Sequence, residues 1–160
     1  MVNAYIGLGS NLDNPIEHIH QAVEDLKTLP KSQLILASKL YLSKPVGPQD
    51  QDDFINSVVM LETTLEPLAL LDHLQAIEQS HQRVRKRHWG PRTLDLDLLL
   101  FGDLSIQNAR LTVPHTEINN RDFVIGPLYE LCPELALPNG TKIQDLLQHC
   151  PIDGLVCLDS

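Results

Sequence analysis

The chain carries two alternating kinds of hydrophobic pattern. Four stretches are apolar in the manner of β-strands and end at turn-forming residues; they are 2–8, 33–43, 54–64 and 94–101. Two stretches between them repeat apolar residues at helical spacing; they run from Ile16 to Leu29, before Pro30, and from Leu68 to Val84, after Pro67. We expect Ser10 or Asn11 to begin the first helix, since both residue types cap helices.

The order β-α-β-β-α-β predicts an α+β protein with a ferredoxin-like βαββαβ core, in which both helices cover one face of an antiparallel four-stranded sheet. The prolines and glycine of 44–53 predict a loop. Two short helices, at 121–131 and 143–149, are expected to cover the other face and complete a three-layer α-β-α sandwich. Without an internal repeat or linker, residues 1–160 are expected to form a single domain.

Composition narrows the possible partners. At 160 residues with 42 % hydrophobic residues, the chain is large enough for one core, and no stretch approaches the ~20 apolar residues of a membrane span. A net charge of −9 argues against nucleic acid or anionic membranes as partners. The start has no signal-peptide pattern, and the three cysteines have no zinc-like spacing. We expect a monomeric, cytoplasmic protein with reduced thiols and small-molecule ligands.

Positive charge is concentrated in one place. Of twelve lysines and arginines, five fall within ten positions, namely Arg83, Arg85, Lys86, Arg87 and Arg92. Cations at a helix end stabilise its dipole, which could account for any one of these residues but hardly for all five. The cluster therefore indicates a local site for an anion.

Two aspartates follow this cluster on a predicted strand. Residues two apart on a strand point to the same side, about 6.6 Å apart along the chain, so Asp95 and Asp97 would converge. Paired carboxylates suit Mg²⁺, which completes its shell with water and substrate phosphate. A strand with a solvent-facing side would show the same alternation. Arg92, three residues earlier, offers a planar fork of donors for phosphate oxygens, and the combination is typical of phosphoryl transfer.

A nucleotide would have to be held by side chains, since the sequence has no GxxxxGK[ST] loop and Gly7-Leu8-Gly9 lacks the third glycine of a dinucleotide fingerprint. Phe54 and Asn56 share one face of their strand, where a planar heterocycle could stack and pair, although a core phenylalanine would look the same. His115, taken singly, is equally consistent with an ordinary hydrogen-bonded histidine.

Four stretches, occurring in the family's order along the chain, resemble the 6-hydroxymethyl-7,8-dihydropterin pyrophosphokinase family of folate biosynthesis. They are AYIGLGSNL, PVGPQDQDDFIN, RVRKRHWGPRTLDLDLLLFG and RLTVPHTEINNRDFVIGPLYELCPEL. The resemblance implies an ATP-dependent diphosphokinase that moves pyrophosphate from MgATP to the hydroxymethyl group of the pterin and releases AMP. It also implies the ferredoxin-like fold that the element order predicts.

The resemblance implies roles for particular residues. Asp95 and Asp97 would bind two Mg²⁺ ions, and Asp97, Arg83 and Arg92 would be catalytic. The implied ATP contacts are Gln75, Glu78, Arg85, Trp89, Leu98, Arg110, Leu111, Thr112, His115 and Arg121. The implied pterin contacts are Ser43, Val46, Phe54, Asn56, Asp95 and Phe123. Trp89 would lie on a loop that closes over the substrates.

The chain departs from the family pattern at three places, which are His88 in a loop about one residue short, Ser43-Lys44-Pro45, and Thr116. Ferredoxin-like sheets also form RNA-binding modules, but these need exposed aromatic residues and a basic surface, whereas aromatic residues are 4 % here. A two-metal nuclease would share the carboxylates, but the acidic composition disfavours a polyanionic substrate.

Overall fold

The computed structural model describes residues 1–11, 14–43, 53–81, 94–116, 118, 121–150 and 155–158. Within these ranges the strands are β1 (Val2–Ser10), β2 (Ser32–Ala37), β3 (Leu40–Ser43), β4 (Phe54–Thr63), β5 (Asp95–Phe101), β6 (Ile106–Gln107), β7 (Thr112–Val113) and β8 (Val156–Leu158). The helices are α1 (Pro15–Lys27), α2 (Pro67–His81), α3 (Asp122–Leu131) and α4 (Ile143–His149). The predicted loop at 44–53 and the predicted end of the second helix at Val84 fall largely outside these ranges.

The main sheet has the strand order β5-β1-β4-β3-β8, and β2 also pairs with β4. Every neighbouring pair is antiparallel. The four predicted strands therefore lie in the order fourth, first, third, second. This is the sheet expected of a split βαβ arrangement, and it confirms the predicted fold class.

Helices cover both faces of the sheet. On one side, apolar side chains of the strands pack with α1 and α2, and the cluster includes Ile6, Leu61 and Leu96. On the other side, α3 and α4 cover Tyr5, Val58 and other residues of the central strands. The predicted three-layer α-β-α sandwich is confirmed. Among the described residues, no helix is long and apolar enough to span a membrane.

The predicted strand at 33–43 is two strands, because the chain makes a bulge between them. Ala37 pairs with Val59 and Tyr41 with Asn56, so three residues of one strand lie opposite two of β4. At the bulge the Ser38 hydroxyl oxygen accepts a hydrogen bond from the Val58 N–H at 2.9 Å. The side chain thus takes over part of the strand pairing, an exchange that an apolar pattern does not reveal.

The first helix begins later than predicted. β1 continues to Ser10, which pairs with Ile55, and α1 begins at Pro15 after Asn14, whose φ is 64°. Proline suits the first helical turn because that position needs no N–H donor. Ser10 therefore ends a strand rather than starting a helix. The three-residue β8 was not predicted, since so short a stretch carries no clear periodicity.

A histidine pair links the two helices of the first layer. His18 Nδ1 lies 2.7 Å from His81 Nδ1, and His81 Nε2 lies 3.0 Å from Asp25 Oδ2. The His81 side chain is only 7 % exposed. His81 is the last described residue of α2 and directly precedes the arginine cluster in the sequence, so α1 holds the described end of that helix in place.

Candidate active site

The two aspartates of β5 lie on one face of the sheet, each opposite a glycine. Asp95 pairs with Gly9 and Asp97 with Gly7, and Gly9 pairs on its other side with Asn56 of β4. Directly opposed residues of antiparallel strands point to the same side, so Asp95, Gly9 and Asn56 form a row across three strands. The row lies on the face that α3 and α4 cover further along the sheet.

Gly9 keeps this row open. A Cβ atom at this position would lie 3.2 Å from Asn56 Nδ2 and 3.9 Å from Phe54 Cδ1. Only glycine therefore leaves the amide in place without crowding. The amide of Asn56 therefore reaches over Gly9 toward the strand that carries Asp95, a position that a side chain at residue 9 would occupy.

The amide of Asn56 is held in one orientation. The Ser43 hydroxyl donates a hydrogen bond of 2.5 Å to Asn56 Oδ1, and Asn56 is only 5 % exposed. The bond fixes the Nδ2 donors toward the Gly9 row. Phe54, the first residue of β4, is half-buried beside them, so an aromatic plane and an amide share one face, as the alternation predicts.

Residues expected to contact ATP gather along the outer side of β5. The Glu78 carboxylate on α2 accepts a hydrogen bond from the Leu96 N–H at 2.8 Å. Arg110 Nη2 donates to Asp72 Oδ1 at 2.6 Å and to Gln75 Oε1 at 3.1 Å. Gln75, Glu78 and Arg110 thus come together from α2 and the segment before β7. Asp72 is an addition that the sequence did not single out.

The segment around β7 is attached to β5 through a bulge. Ile6 pairs with Leu98 and Tyr5 with Leu100, so Leu99 is the extra residue. Its carbonyl oxygen accepts a hydrogen bond from the His115 N–H at 3.0 Å. Thr112, in β7, is half-buried. The bulge therefore brings the Thr112 to His115 segment alongside the strand that carries both aspartates.

Arg121 and Phe123 lie at the start of α3. The Arg121 guanidinium carbon is 5.4 Å from the centroid of the Phe123 ring, which is within the range of a cation–π interaction. α3 packs against β3 and β4. The Phe123 ring and the Arg121 guanidinium that contacts it therefore lie at the start of the helix that packs on the same face as the aspartates.

Two expected ATP contacts need correction as to the group involved. The side chains of Leu98 and Leu111 lie in the core shared with α1 and α2, on the side of the sheet away from the aspartates. The strand alternation that turns Asp95 and Asp97 outward turns Leu98 inward. Both main-chain groups of Leu111 are already paired with Asn108, the N–H with its side-chain oxygen and the carbonyl with its N–H. The expected site residues Val46, Arg83, Arg85, Trp89 and Arg92 lie outside the described residues, as does His88.

The donor set suits Mg²⁺ bound together with a phosphate ligand. In the described part of the chain, no group of three or more His, Cys, Asp or Glu side chains could hold a metal ion. Mg²⁺ is commonly bound by one or two carboxylates, with water and substrate phosphate completing its shell. Asp95 and Asp97 are half-buried, and their glycine partners leave space above the strand, so the residues present fit such an ion.

Sequence reasoning missed the role of glycine in this site. Gly7 and Gly9 entered only as an incomplete dinucleotide fingerprint, because their strand partners cannot be read from the chain. The useful signal was that glycine is unfavourable inside a strand, so two of them at positions that share a face indicate a need for space. Asp72 gave no signal, since it lies on an exposed helix surface.

The fold and the site define the class of protein, which is a ferredoxin-like α+β enzyme. Its sheet carries paired carboxylates near amide, aromatic and basic side chains, a combination typical of phosphoryl transfer. The chain belongs to the 7,8-dihydro-6-hydroxymethylpterin-pyrophosphokinase (HPPK) family, whose model matches residues 5–133. It is therefore a pyrophosphokinase of folate biosynthesis that uses ATP as co-substrate. The predicted family and enzyme class are confirmed, and the RNA-binding and nuclease alternatives are set aside.

Curated relatives and solved structures agree with this assignment. The chain is 52 % identical over 149 residues to the 2-amino-4-hydroxy-6-hydroxymethyldihydropteridine pyrophosphokinase of Haemophilus influenzae, covering 93 % of each chain. It is 50 % identical over 151 residues to the Pseudomonas aeruginosa enzyme of the same name, covering 94 % of this chain and 93 % of the relative. Wild-type Plasmodium falciparum HPPK-DHPS superposes with a TM-score of 0.74 at 15 % identity, over 92 % of this chain and 44 % of that chain. That likeness shows the fold, and the chain spans less than half of that longer protein.

Proposed function

We propose that this chain transfers pyrophosphate from MgATP to the hydroxymethyl oxygen of 6-hydroxymethyl-7,8-dihydropterin on the face of the sheet between β5 and β4. The observation that carries the proposal is the row formed by Asp95, Gly9 and Asn56. Neighbouring strands are about 4.8 Å apart, so the Cα atoms of Asp95 and Asn56 lie roughly 10 Å apart across the glycine, and the Asn56 amide reaches over Gly9. A pterin bound against this row would have its ring edge at the amide and its one-carbon substituent directed at the carboxylates.

The pterin would be recognised at the β4 end of the row. Asn56, oriented by Ser43, directs its amide donors to acceptors on the edge of the ring. Phe54 from β4 and Phe123 from α3 supply aromatic planes for stacking. Val46 completes the pocket in this proposal.

ATP would be bound at the β5 end. Gln75, Glu78 and Arg110 lie along the outer side of β5, and Thr112 and His115 lie on the adjoining segment. Arg121 and Arg85 add positive charge, Trp89 closes over the nucleotide, Leu98 contributes main-chain groups, and Leu111 supports the segment through its main-chain hydrogen bonds to Asn108. Arg110 already presents its guanidinium there, because Asp72 and Gln75 hold it in place.

The transfer step needs positioning and charge neutralisation more than covalent chemistry. The hydroxymethyl oxygen attacks the β-phosphorus in line and releases its proton, the bond from that phosphorus to the α-bridging oxygen breaks, and AMP leaves with the electron pair. Arg83 and Arg92 balance the charge that develops on the phosphoryl oxygens. Asp95 and Asp97 would hold two Mg²⁺ ions, which supply further charge neutralisation when bound. Covering the site excludes water that would otherwise hydrolyse the anhydride.

The test is to identify the nucleotide product. Incubation with MgATP and hydroxymethyldihydropterin should yield AMP and the pterin diphosphate in equal amounts, as separated by anion-exchange chromatography. Removal of Mg²⁺ with EDTA should stop the reaction, and added Mg²⁺ should restore it. ADP as the product would mean transfer of a single phosphoryl group and would contradict the proposal. An absence of turnover with an intact fold would overturn it.

We further propose that residues 1–160 act as one domain and as a monomer in the cytoplasm. Helices cover both faces of the sheet, which suits a monomer. No disulfide joins Cys132, Cys150 or Cys157 within the described part of the chain, which suits a reducing compartment. Light scattering coupled to size-exclusion chromatography should give a mass near 17.9 kDa; a dimer mass would contradict the monomer.

A further inference from the structure

The carboxylate of Glu130 joins the end of α3 to the break between β2 and β3. Its two oxygens share the Lys39 N–H at 3.1 and 3.2 Å, and one of them accepts a hydrogen bond of 2.5 Å from the Tyr41 hydroxyl. The two donors lie about ninety residues away in the sequence. The contact therefore ties together parts of the chain that nothing local would hold together.

The strand break explains why a carboxylate is needed there. β2 ends at Ala37 and β3 begins at Leu40, so the Lys39 N–H lies in the bulge, where the regular ladder is interrupted. Burial raises the pKa of Tyr41 well above its ordinary value, and its hydrogen bond to Glu130 raises it further. Tyr41 therefore stays protonated and remains a donor across the physiological pH range.

The position of Glu130 on α3 connects it to the candidate site. Phe123 and Glu130 are seven residues apart, which is nearly two helical turns, or about 10 Å along the axis. They consequently lie on the same side of the helix. Pro127 lies between them and lacks an N–H, which removes one internal helical hydrogen bond. A fixed point at the far end of α3 is thus important for the placement of its first turn.

β3, the strand whose Tyr41 binds Glu130, also contacts residues on the pterin side of the site. Tyr41 is the pairing partner of Asn56, and Ser43 is the pairing partner of Phe54. On β3, Tyr41 binds α3 through Glu130, and Ser43 fixes the amide of Asn56. One short strand therefore sets both walls of the pocket, namely the sheet and the helix above it.

We propose that Glu130 is a positioning residue for the pterin side of the site, holding α3 on β3 so that Phe123 lies over the sheet opposite Phe54. The role rests on the proposed function of this face. Glu130 does not touch the substrate. It acts through α3 and therefore affects pterin binding more than ATP binding, since Arg121 is the one described ATP-side residue at the start of α3, whereas Gln75, Glu78 and Arg110 lie on other elements.

The test compares pterin and ATP binding in variants of the full chain. Glu130→Ala should raise the KM and Kd for the pterin about tenfold, a size typical of losing an outer support of a site, with the KM for ATP changed less than about twofold. Glu130→Gln keeps an acceptor oxygen and should restore most of the pterin affinity. The matched control is Glu134→Ala, an exposed carboxylate beyond the end of the helix, which should behave as wild type.

A second readout does not depend on turnover. In Glu130→Ala, hydrogen exchange of the Lys39 amide, followed by NMR, should become faster, and in Glu130→Gln it should remain protected. Should the alanine variant fail to fold, Tyr41→Phe removes one of the two donors and should raise the Kd for the pterin by a smaller factor.

The outcomes separate this inference from the proposed function. Faster Lys39 exchange with an unchanged Kd for the pterin would overturn the positioning role. Equal losses of pterin and ATP affinity would overturn it as well, since they would show a general structural effect. If the wild-type protein made no AMP, the proposed function itself would fail, whereas a normal wild type with an unaffected Glu130→Ala variant would refute only the inference.

Discussion

Replacing Gly9 by alanine is the most direct way to examine the row between the aspartates and Asn56. The added Cβ would lie 3.2 Å from Asn56 Nδ2, a few tenths of an ångström inside an ordinary contact of about 3.5 Å. The amide cannot easily retreat, because Ser43 holds its other end at 2.5 Å and the residue is buried. The perturbation is therefore a small, directed displacement of the group that would read the pterin.

The expected magnitude follows from this geometry. Overfilling a packed site costs about 1–3 kcal/mol, and about 1.4 kcal/mol corresponds to a tenfold change in affinity. We expect the KM and Kd for the pterin to rise about tenfold in Gly9→Ala, with the KM for ATP nearly unchanged. The melting temperature should change little, since alanine in a strand recovers roughly 0.5–1 kcal/mol relative to glycine.

Gly7→Ala is the matched control on the same strand and face. Its Cβ would meet only the flexible side chain of Leu99 among its nearest neighbours, at 3.4–3.6 Å, so pterin affinity should stay within about twofold of wild type. Steady-state AMP formation gives both KM values, and calorimetry with a non-hydrolysable ATP analogue gives the Kd for the pterin. A Gly9→Ala enzyme with normal pterin affinity would refute the argument from spacing, as would an equal loss in Gly7→Ala.

Two further predictions concern charge and protonation. Asp97→Ala should lower AMP formation at least about a thousandfold, the scale on which phosphoryl transfer depends on a charge-neutralising group, while the melting temperature stays close to wild type; near-normal turnover would show that the metal site lies elsewhere. Burial, with a smaller contribution from Cys132, raises the pKa of Tyr5 to about 12, so its stabilising effect is complete below pH ~10 and is lost as the pH rises towards 12. Urea unfolding between pH 9 and 12 should show wild type losing on the order of 2 kcal/mol more than Tyr5→Phe, and parallel curves would contradict this.

The elements that depend on local sequence were predictable. The spacing of apolar residues located α2 and the strands β1, β4 and β5 to within two residues at the described ends, because each element buries one face along its whole length. The turning of Asp95 and Asp97 away from Leu96 and Leu98 also follows directly from strand alternation.

The features that depend on strand pairing or on contacts between distant residues were not predictable. The break at Ser38 arises because its hydroxyl replaces part of the strand ladder, and apolar spacing cannot report this. The glycines opposite the aspartates become meaningful only once the register is known. Glu130 and Tyr41 are eighty-nine residues apart, so their contact exists only in the folded chain. The sequence therefore allowed a hypothesis about the charged and aromatic residues of the site, but not about their spacing or their supports.

The position of β5 at the margin of the sheet affects the solubility of the protein. Among the described strands it ends the order β5-β1-β4-β3-β8, and exposed margins of sheets are templates for pairing with other chains. Glu78 occupies the outward Leu96 N–H, and two carboxylates project from the same strand. Charged side chains at a sheet margin oppose such pairing. Variants that neutralise Asp95 and Asp97 together should therefore self-associate more readily than wild type, because the carboxylates proposed to bind Mg²⁺ also keep neighbouring molecules apart.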